Sequence, residues 1–401
     1  MIQEHTKSKA RRWTGSSRLL QVVVGGTAIV ALMAGCTSQG KSDATGAAGT
    51  SSGGGSATQS AGDAAALVAK YYKGTVTAPP ADGPAAVTGK KVWIISCGQA
   101  APSCSEPVAA MKTAAQAIGW NVTVFDGQLN PAKYSQGISQ AIAAGADGIL
   151  VNSIDCAAAP GPFEQAKKAG IVIAGLYAFD CDKDPVFSTW PKWSGYDDLA
   201  QVYQAWGAAR AAWIIDQTKG KANVIDTTVP SYRGLVEAEK GFKAEMATCS
   251  GCKVATTVSL PVGDIVAGTA GAKVTNALQQ HPDANSFLSY NDAGFTQFEN
   301  ASFHAAGATK LLTMGGECLP GNVDEIRSGG PEDACAVLPQ DWHGWAVVDE
   351  VNRQFAKPGS APVDEGLGMQ IIDKDHNLPA SGGWVPPVDF KAAYMKVWGV
   401  S

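Results

Sequence analysis

A parallel-sheet α/β architecture is predicted for the chain from Lys90 onward, on three observations. Short apolar runs alternate with helical stretches almost without interruption. The runs are apolar at successive positions rather than at every second one, as strands covered on both faces require. The alternation pauses at one long apolar helix and then resumes, so the unit occurs twice and two doubly wound sheets with right-handed crossovers are expected.

The elements follow in order. The run 92–96 is the first strand, the Ala-rich stretch 108–118 a helix and 121–125 the second strand. Ile138 and Ile142 stand one turn apart in 134–144, which predicts a helix there. Strand 148–151, helix 163–169 and strand 171–176 complete the first unit. After the long helix 199–215, strands are expected at 222–225, 254–258, 286–289, 311–314 and 335–338. Helices around 236–246, 266–280 and 296–306 separate them.

What precedes Lys90 is of a different kind. Lys7, Lys9, Arg11, Arg12 and Arg18 form a basic head, and 19–33 is an apolar stretch of signal-peptide length, too short to cross a bilayer comfortably. It ends in Leu32-Met33-Ala34-Gly35-Cys36, which resembles the bacterial lipobox, in which cleavage leaves the cysteine as an acylated N-terminus. Residues 1–35 are therefore expected to be a signal peptide and Cys36 the lipidation site. Residues 36–89 are then a disordered tether and lead-in: 37–61 is almost wholly small or polar, with a short helix at 64–72 before a Pro-rich stretch.

Composition sets the class. Hydrophobic residues make up 45% and charged residues 17%, an ordinary globular balance with enough chain for two lobes. Residues 1–35 hold five basic and one acidic side chain, which leaves 26 basic against 35 acidic, a net charge of −9. That disfavours a nucleic-acid partner. With Cys36 assigned to lipid, eight cysteines remain in an oxidising compartment, and order along the chain suggests Cys97 with Cys104, Cys156 with Cys181, Cys249 with Cys252 and Cys318 with Cys335. Cys249-Ser-Gly-Cys252 also has zinc half-site spacing, but the five histidines are scattered and supply no second pair. No metal and no cofactor are expected.

Several segments together, 124–133 after the second strand, 145–152 into the third, Gly241-Phe242, 281–285 and Tyr290-Asn291-Asp292, resemble the sugar-type class of type I periplasmic binding proteins, the ribose and galactose binders of ABC importers. The likeness runs from Lys90 to about Lys374. It implies two Rossmann-like lobes joined by three crossings, placed near Gly195, Gln340 and Asp373. The N-terminal lobe is then 90–195 plus 341–373, and the C-terminal lobe 196–340 plus 374–401. Lactose-repressor type regulators share the fold but begin with a helix-turn-helix, where this chain has a lipobox.

In open α/β sheets the ligand lies beyond the carboxyl ends of the strands. Those ends supply Gln99, Asp155, Tyr177, Asp180, Tyr232, Arg233, Asn291, Glu317, Gln340 and Trp342 as candidate ligand-binding residues. The mixture suits a cyclic polyhydroxylated solute, whose C–H faces stack on rings while carboxylates and amides bind its hydroxyls. The resemblance places Asn291 and Gln340 on ligand-binding positions of the ribose-type pattern, and Glu317 where that pattern has Asp. It also exposes departures. Ala101-Pro102-Ser103-Cys104 replaces an Asn-Pro-Phe-Phe type motif, Tyr177-Ala178 replaces Asp-Arg, and Val236 stands where the family has arginine, with Arg233 about one turn earlier. Ribose itself is disfavoured.

The expected function is capture of a small polar cyclic solute (a sugar, a sugar alcohol or similar) by a monomeric lipoprotein on the outer face of the cell membrane, with delivery to the permease subunits of an ABC importer. From Lys90 onward the chain holds no Gly-x-Ser-x-Gly, no P-loop, no dinucleotide fingerprint and no His-Glu-x-x-His, so no enzyme is expected. The alternative is a sensing lipoprotein that reports ligand to a signalling partner.

Overall fold

The computed structural model describes residues 55–308 and 310–400. The expected signal peptide, Cys36 and the tether as far as residue 54 lie outside the described residues.

A lead-in helix α1 (Gly55–Lys73) precedes β1 (Lys91–Ser96), α2 (Pro102–Ala117), β2 (Asn121–Asp126), α3 (Pro131–Ala143), β3 (Gly148–Asn152), α4 (Pro160–Lys168) and β4 (Val172–Leu176). A short β5 (Lys192–Trp193) leads to α5 (Leu199–Gln217), β6 (Asn223–Thr228), α6 (Arg233–Thr248), β7 (Lys253–Ser259), α7 (Val262–Val266), α8 (Ala270–Gln280) and β8 (Ser286–Leu288). Then come α9 (Asp292–Gly294), α10 (Asn300–Ala306), β9 (Leu312–Met314), α11 (Pro320–Ser328), β10 (Ala334–Ala336), α12 (Gln340–Ala356), β11 (Asp364–Leu367), β12 (Ile371–Asp373) and α13 (Phe390–Trp398).

Two sheets result. The first has the order β2-β1-β3-β4 and is parallel throughout, with Val92 opposite Val122 on one side and Gly148 on the other. Its strands alternate between two cores: Ile94, Leu150 and Ala174 pack on one face, and Ile95, Ile149 and Ile173 on the other. This is the double covering that their continuous apolarity requires. The second sheet has the order β12-β10-β9-β8-β6-β7 and is parallel except for its edge strand β12, which runs antiparallel to β10. In both sheets the first strand (β1, β6) has its successor on one side and the next-but-one strand on the other. The chain therefore reverses direction of winding there, which opens a crevice beyond the strand ends.

Helix starts are set locally. Asn130 accepts from Ala132 N at 2.9 Å to cap α3, and Asp198 accepts from Gln201 N at 2.9 Å to cap α5. Proline opens α2, α3, α4 and α11, where its missing N–H costs nothing. Helices α5 and α6 touch backbone to backbone, because a Cβ on Gly241 would fall 1.9 Å from Gln204 O and one on Gly207 1.9 Å from Ala238 O. This close approach fixes α6, whose first turn faces the other lobe.

The structure redraws two expected boundaries. The lead-in is part of the folded body: Ala64, Val68 and Tyr71 form an i, i+4, i+7 stripe buried against α5, and the helix begins at Gly55 rather than near residue 64. Tyr72 donates to Asp373, which also accepts from Trp213 Nε1 at 3.2 Å, so the lead-in is tied to the end of β12. The last crossing lies between β11 and β12, not at Asp373. Ile371 and Ile372 are taken into the second sheet, whereas the aromatic stripe Phe390, Tyr394 and Trp398 of α13 packs on α12. Helix α12 itself packs on α2, so 371–373 and 390–398 exchange the lobes expected from the sequence.

The hinge is a small sheet of its own. β5 pairs with β11 in parallel, Leu367 opposite Trp193, and the lead-in backbone runs beside it with Thr75 N donating to Met369 O at 2.9 Å and Thr77 N to Gly366 O at 3.0 Å. Gly368 is required there, since a Cβ would lie 2.4 Å from Thr75 C. Disulfides join Cys97–Cys104, Cys156–Cys181, Cys249–Cys252 and Cys318–Cys335, the pairing suggested by order along the chain. Among the described residues no helix is long and apolar enough to cross a membrane.

Candidate functional site

The carboxyl ends of the two sheets face each other across a narrow cleft. From the first lobe it is lined by Ser103 and Cys104 at the start of α2, Ser153 and Asp155 after β3, and Tyr177 after β4. From the second come Tyr203 and Trp206 of α5, Tyr232 and Arg233 at the start of α6, Asn291 after β8 and Glu317 after β9, with Leu338 and Gln340 at the second crossing. Non-glycine residues in the left-handed region cluster at these strand ends: Ser153 (φ 53°), Tyr177 (φ 51°) and Cys318 (φ 63°). Such backbone is held only where its surroundings over-determine it, and it turns the chain sharply so that side chains enter the crevice.

Behind the second lobe's wall stands Arg210 of α5, 2% exposed. Its Nε donates to Gly315 O at 2.9 Å, its other arm donates to Ser289 O, and the guanidinium lies 4.0 Å from the Trp206 ring centre. It thereby gathers the carbonyls at the ends of β8 and β9. Burial pulls its pKa down to about 10, against the attraction of Asp226, Glu317, Asp292 and Glu299. Asp292 completes the clamp, accepting from Gly316 N at 2.5 Å and Leu319 N at 2.6 Å, while its own N–H donates to Glu317 Oε2 at 2.9 Å. Burial raises the Glu317 carboxyl above its ordinary range. Asn291 spends Oδ1 on Gly294 N at 2.8 Å, a cap that leaves its amide N–H groups for the cleft.

Several contacts cross the cleft. Asp155 accepts from Phe179 N of its own lobe at 2.9 Å and from Arg233 N of the other at 3.2 Å. The Arg233 guanidinium lies 4.7 Å from the Phe179 ring centre and donates to Asp182 at 2.7 Å. Tyr203 meets both Tyr177 and Phe179, with ring centres 6.4 and 6.2 Å apart. Inside the closed cleft, Tyr177 Oη and Gln340 Oε1 are buried without a hydrogen-bond partner among the described residues.

Of the ten candidates read from the sequence, seven come together here: Asp155, Tyr177, Tyr232, Arg233, Asn291, Glu317 and Gln340. Three are placed elsewhere. Gln99 is tied back to its own strand, Nε2 donating to Ser96 Oγ at 2.7 Å. Asp180 spends both carboxylate oxygens on Cys181 N, Val186 N and Phe187 N, which shapes the loop after β4. Trp342 stacks on Phe390 at 5.2 Å and donates to Tyr394 Oη at 3.2 Å, within the contact of α12 with α13. Arg233 lines the rim but points its charge at Asp182. Ser103, Ser153, Tyr203 and Trp206 were not singled out as ligand-binding residues from the sequence. Tyr203 and Trp206 sit in a helix whose apolar residues spread over most of its surface, and such a helix gives no hint which ring ends in a crevice. Cys156, Asp180 and Cys181 form the one group with metal-ligand spacing among the described residues, but the two sulfurs are bonded to each other and the carboxylate is spent.

A family model described as periplasmic binding protein domain matches residues 96–354, more than half of the chain. The chain belongs to that family. The binding-protein fold is also that of solved structures to which this chain is similar. A solute-binding protein of an ABC transporter from Burkholderia graminis, in complex with D-arabinose, is 20% identical, with 74% of this chain and 98% of that one covered at a TM-score of 0.61. One from Mycobacterium smegmatis with bound glycerol is 19% identical, covering 74% and 100% at 0.61. The Caulobacter myo-inositol binding protein, bound to myo-inositol, is 19% identical, covering 75% and 97% at 0.62. No curated protein matches the chain.

Proposed function

We propose that this binding protein captures a small polyhydroxylated solute, a ring sugar, cyclitol or sugar alcohol, between its lobes and presents it unchanged to the permease of an ABC importer. The observation that carries this reading is the pair of buried, unpartnered polar atoms, Tyr177 Oη and Gln340 Oε1, in a cleft walled by aromatic rings. A buried polar group without a partner costs about 1–3 kcal/mol, and a solute hydroxyl removes that cost. Rings of Tyr177, Tyr203 and Tyr232 offer faces to C–H groups, and Asn291, Glu317 and Gln340 take hydroxyls. The D-arabinose, glycerol and myo-inositol held by the similar structures are solutes of this class.

The mechanism is hinge closure. Solute binds one lobe, the strands β5 and β11 flex, and the Arg233 contacts with Asp182 and Phe179 form as the other lobe arrives. Closure is favoured only by as much as the solute prefers the closed form. Binding in this reading is reversible and leaves the solute unchanged. Acyl chains on Cys36 hold the protein at the outer face of the cell membrane, since two or more chains anchor stably where one does not, and it works there as a monomer. Calorimetric titration with a panel of pentoses, hexoses, polyols and cyclitols tests the reading. One member should bind saturably at one site per chain and be recovered unchanged; no binding across the panel, or conversion of the bound compound, contradicts it. Cys36→Ser should release the protein into the medium.

A further inference from the structure

A second cavity of about 240 Å³ opens beside the cleft and shares Glu317, Leu338 and Gln340 with it. What it adds is acidic and aromatic: Glu106, from the first turns of α2, with Trp342 and Trp384. Glu106 belongs to the first lobe and Glu317 to the second, so closure brings two carboxylates into one small space. Each raises the other's cost of ionisation: burial lifts the Glu106 carboxyl first, and the charges of Glu317 and Asp341 lift it further. Asp341 is answered by Lys391 at 2.5 Å. Glu106 has no hydrogen-bond or ion-pair partner among the described residues; Glu317 accepts from Asp292 N and lies beside the Ser103 hydroxyl, and Arg210, whose charge acts on it, is already committed to two backbone carbonyls behind the wall.

The third polar group shared with this space is Gln340, 8% exposed, whose Oε1 is unpartnered. Glu106, Glu317 and this oxygen are all acceptors. A neutral hydroxyl supplies one proton and leaves the two charges opposed across the closing lobes. An ammonium supplies three protons and a positive charge, and turns that opposition into a bridge. A divalent metal is poorly served: the remaining carboxylate of this cavity, Asp341, is paired with Lys391, and among the described residues Glu106, Glu317 and Asp341 do not bring their oxygens within metal-ligand spacing of one another. Of the two rings, Trp342 is taken up by Phe390, which leaves Trp384 to offer a face to a cation.

We propose that the captured solute carries an amine, an amino sugar or amino-cyclitol whose ammonium sits between Glu106 and Glu317 while its hydroxylated ring fills the adjoining cleft. This rests on the solute-capture reading and names the class within it. The same charge pair makes closure selective: a cation between the two carboxylates favours the closed form, and a neutral solute leaves their repulsion in place.

The test is titration with matched pairs that differ at one group: D-glucosamine against D-glucose, D-galactosamine against D-galactose, and an aminodeoxy-inositol against myo-inositol. At least one amine should bind ten-fold or more tightly than its hydroxyl partner. Glu106→Gln, outside the solute cleft itself, should cut that ratio below about three while leaving the affinity for the neutral partner unchanged or higher; Glu317→Gln should cut the ratio as well, but with weaker binding of both partners, because Glu317 also takes solute hydroxyls. If neutral members bind as well as or better than their amines, and Glu106→Gln changes nothing, the amine proposal is overturned with solute capture intact. If no compound of either kind binds, the capture reading fails and takes this proposal with it.

Discussion

Replacing Arg233 with alanine removes two contacts that span the cleft and spares a third. The lost ion pair, 2.7 Å to Asp182, joins side chains 42% and 80% exposed, so solvent screening limits it to about 0.2–1 kcal/mol. The lost contact with the Phe179 ring, 4.7 Å from its centre, contributes about 0.5–1 kcal/mol at such a rim. The hydrogen bond from Arg233 N to Asp155 survives, because it is made by the backbone. Closed and open forms therefore shift apart by about 1 kcal/mol, and a solute that needs the closed form should bind roughly five-fold more weakly. Calorimetry on Arg233→Ala, Asp182→Ala and the double variant isolates the ion pair, since the two single losses should fail to add. The pair's share should also shrink between about 0.01 M and 1 M salt, as the Debye length falls from about 30 to 3 Å. A loss of a hundred-fold or more in Arg233→Ala, insensitive to salt and with Asp182→Ala neutral, would show that the guanidinium grips the solute and is no latch.

Three other outcomes follow from the same geometry. Asn291→Ala or Gln340→Ala should weaken solute binding by about 1–3 kcal/mol, with the unfolding temperature nearly unchanged in Gln340→Ala and modestly lowered in Asn291→Ala, which also loses the cap on Gly294 N, as calorimetry and thermal melts together report; unchanged affinity in both would remove these residues from the site. Burial raises Asp226 to about 7, Glu299 to about 8 and Glu350 to about 7, so the fold holds protons that the unfolded chain has released. Their stabilisation is full below the unfolded carboxyl range and is lost as pH rises through these values, and His343, held neutral by a pKa near 3, acts only below about 6.5. Melting temperature should fall between pH 6.5 and 8, less steeply in Glu299→Gln; a flat or rising profile contradicts this. Denatured but unreduced protein lacking the leader and Cys36 should show no free thiol and reduction should reveal eight, and an alkylated Cys156 or Cys181 before reduction would break the bridge that holds the loop carrying Asp182.

Periodicity carried most of the fold, for reasons that particular residues make plain. Runs such as 92–96 and 148–152 are apolar on both faces because helices cover both, and that leaves a mark independent of distant contacts. The third crossing left none. Ile371 and Ile372 look alike whether they join one sheet or the other, and only pairing with β10 decides. The docking of α1 was hidden for a related reason: Ala64, Val68 and Tyr71 make a sparse stripe within small, polar sequence, and its partner surface on α5 is built by residues far along the chain. At the site, strand ends located Asn291, Glu317 and Gln340, since topology alone places them. Gln99 and Asp180 sit at equally good positions, yet their side chains turn back onto local backbone and hydroxyl groups, a choice made by loop geometry. Tyr203 enters because α5 packs with one side toward the other lobe, which no local pattern encodes.

The central claim is that the lobes clasp a solute at Asn291 and Gln340. Thermal melts of the wild type and of an Asn291→Ala/Gln340→Ala variant, across a panel of sugars, cyclitols, polyols and their amine counterparts, test it most directly. A solute at 100 times its dissociation constant stabilises by about 2.7 kcal/mol, a shift of several degrees. At least one compound should raise the wild-type melting temperature by that much and leave the variant's unmoved. A panel that moves neither protein, or both alike, contradicts the account.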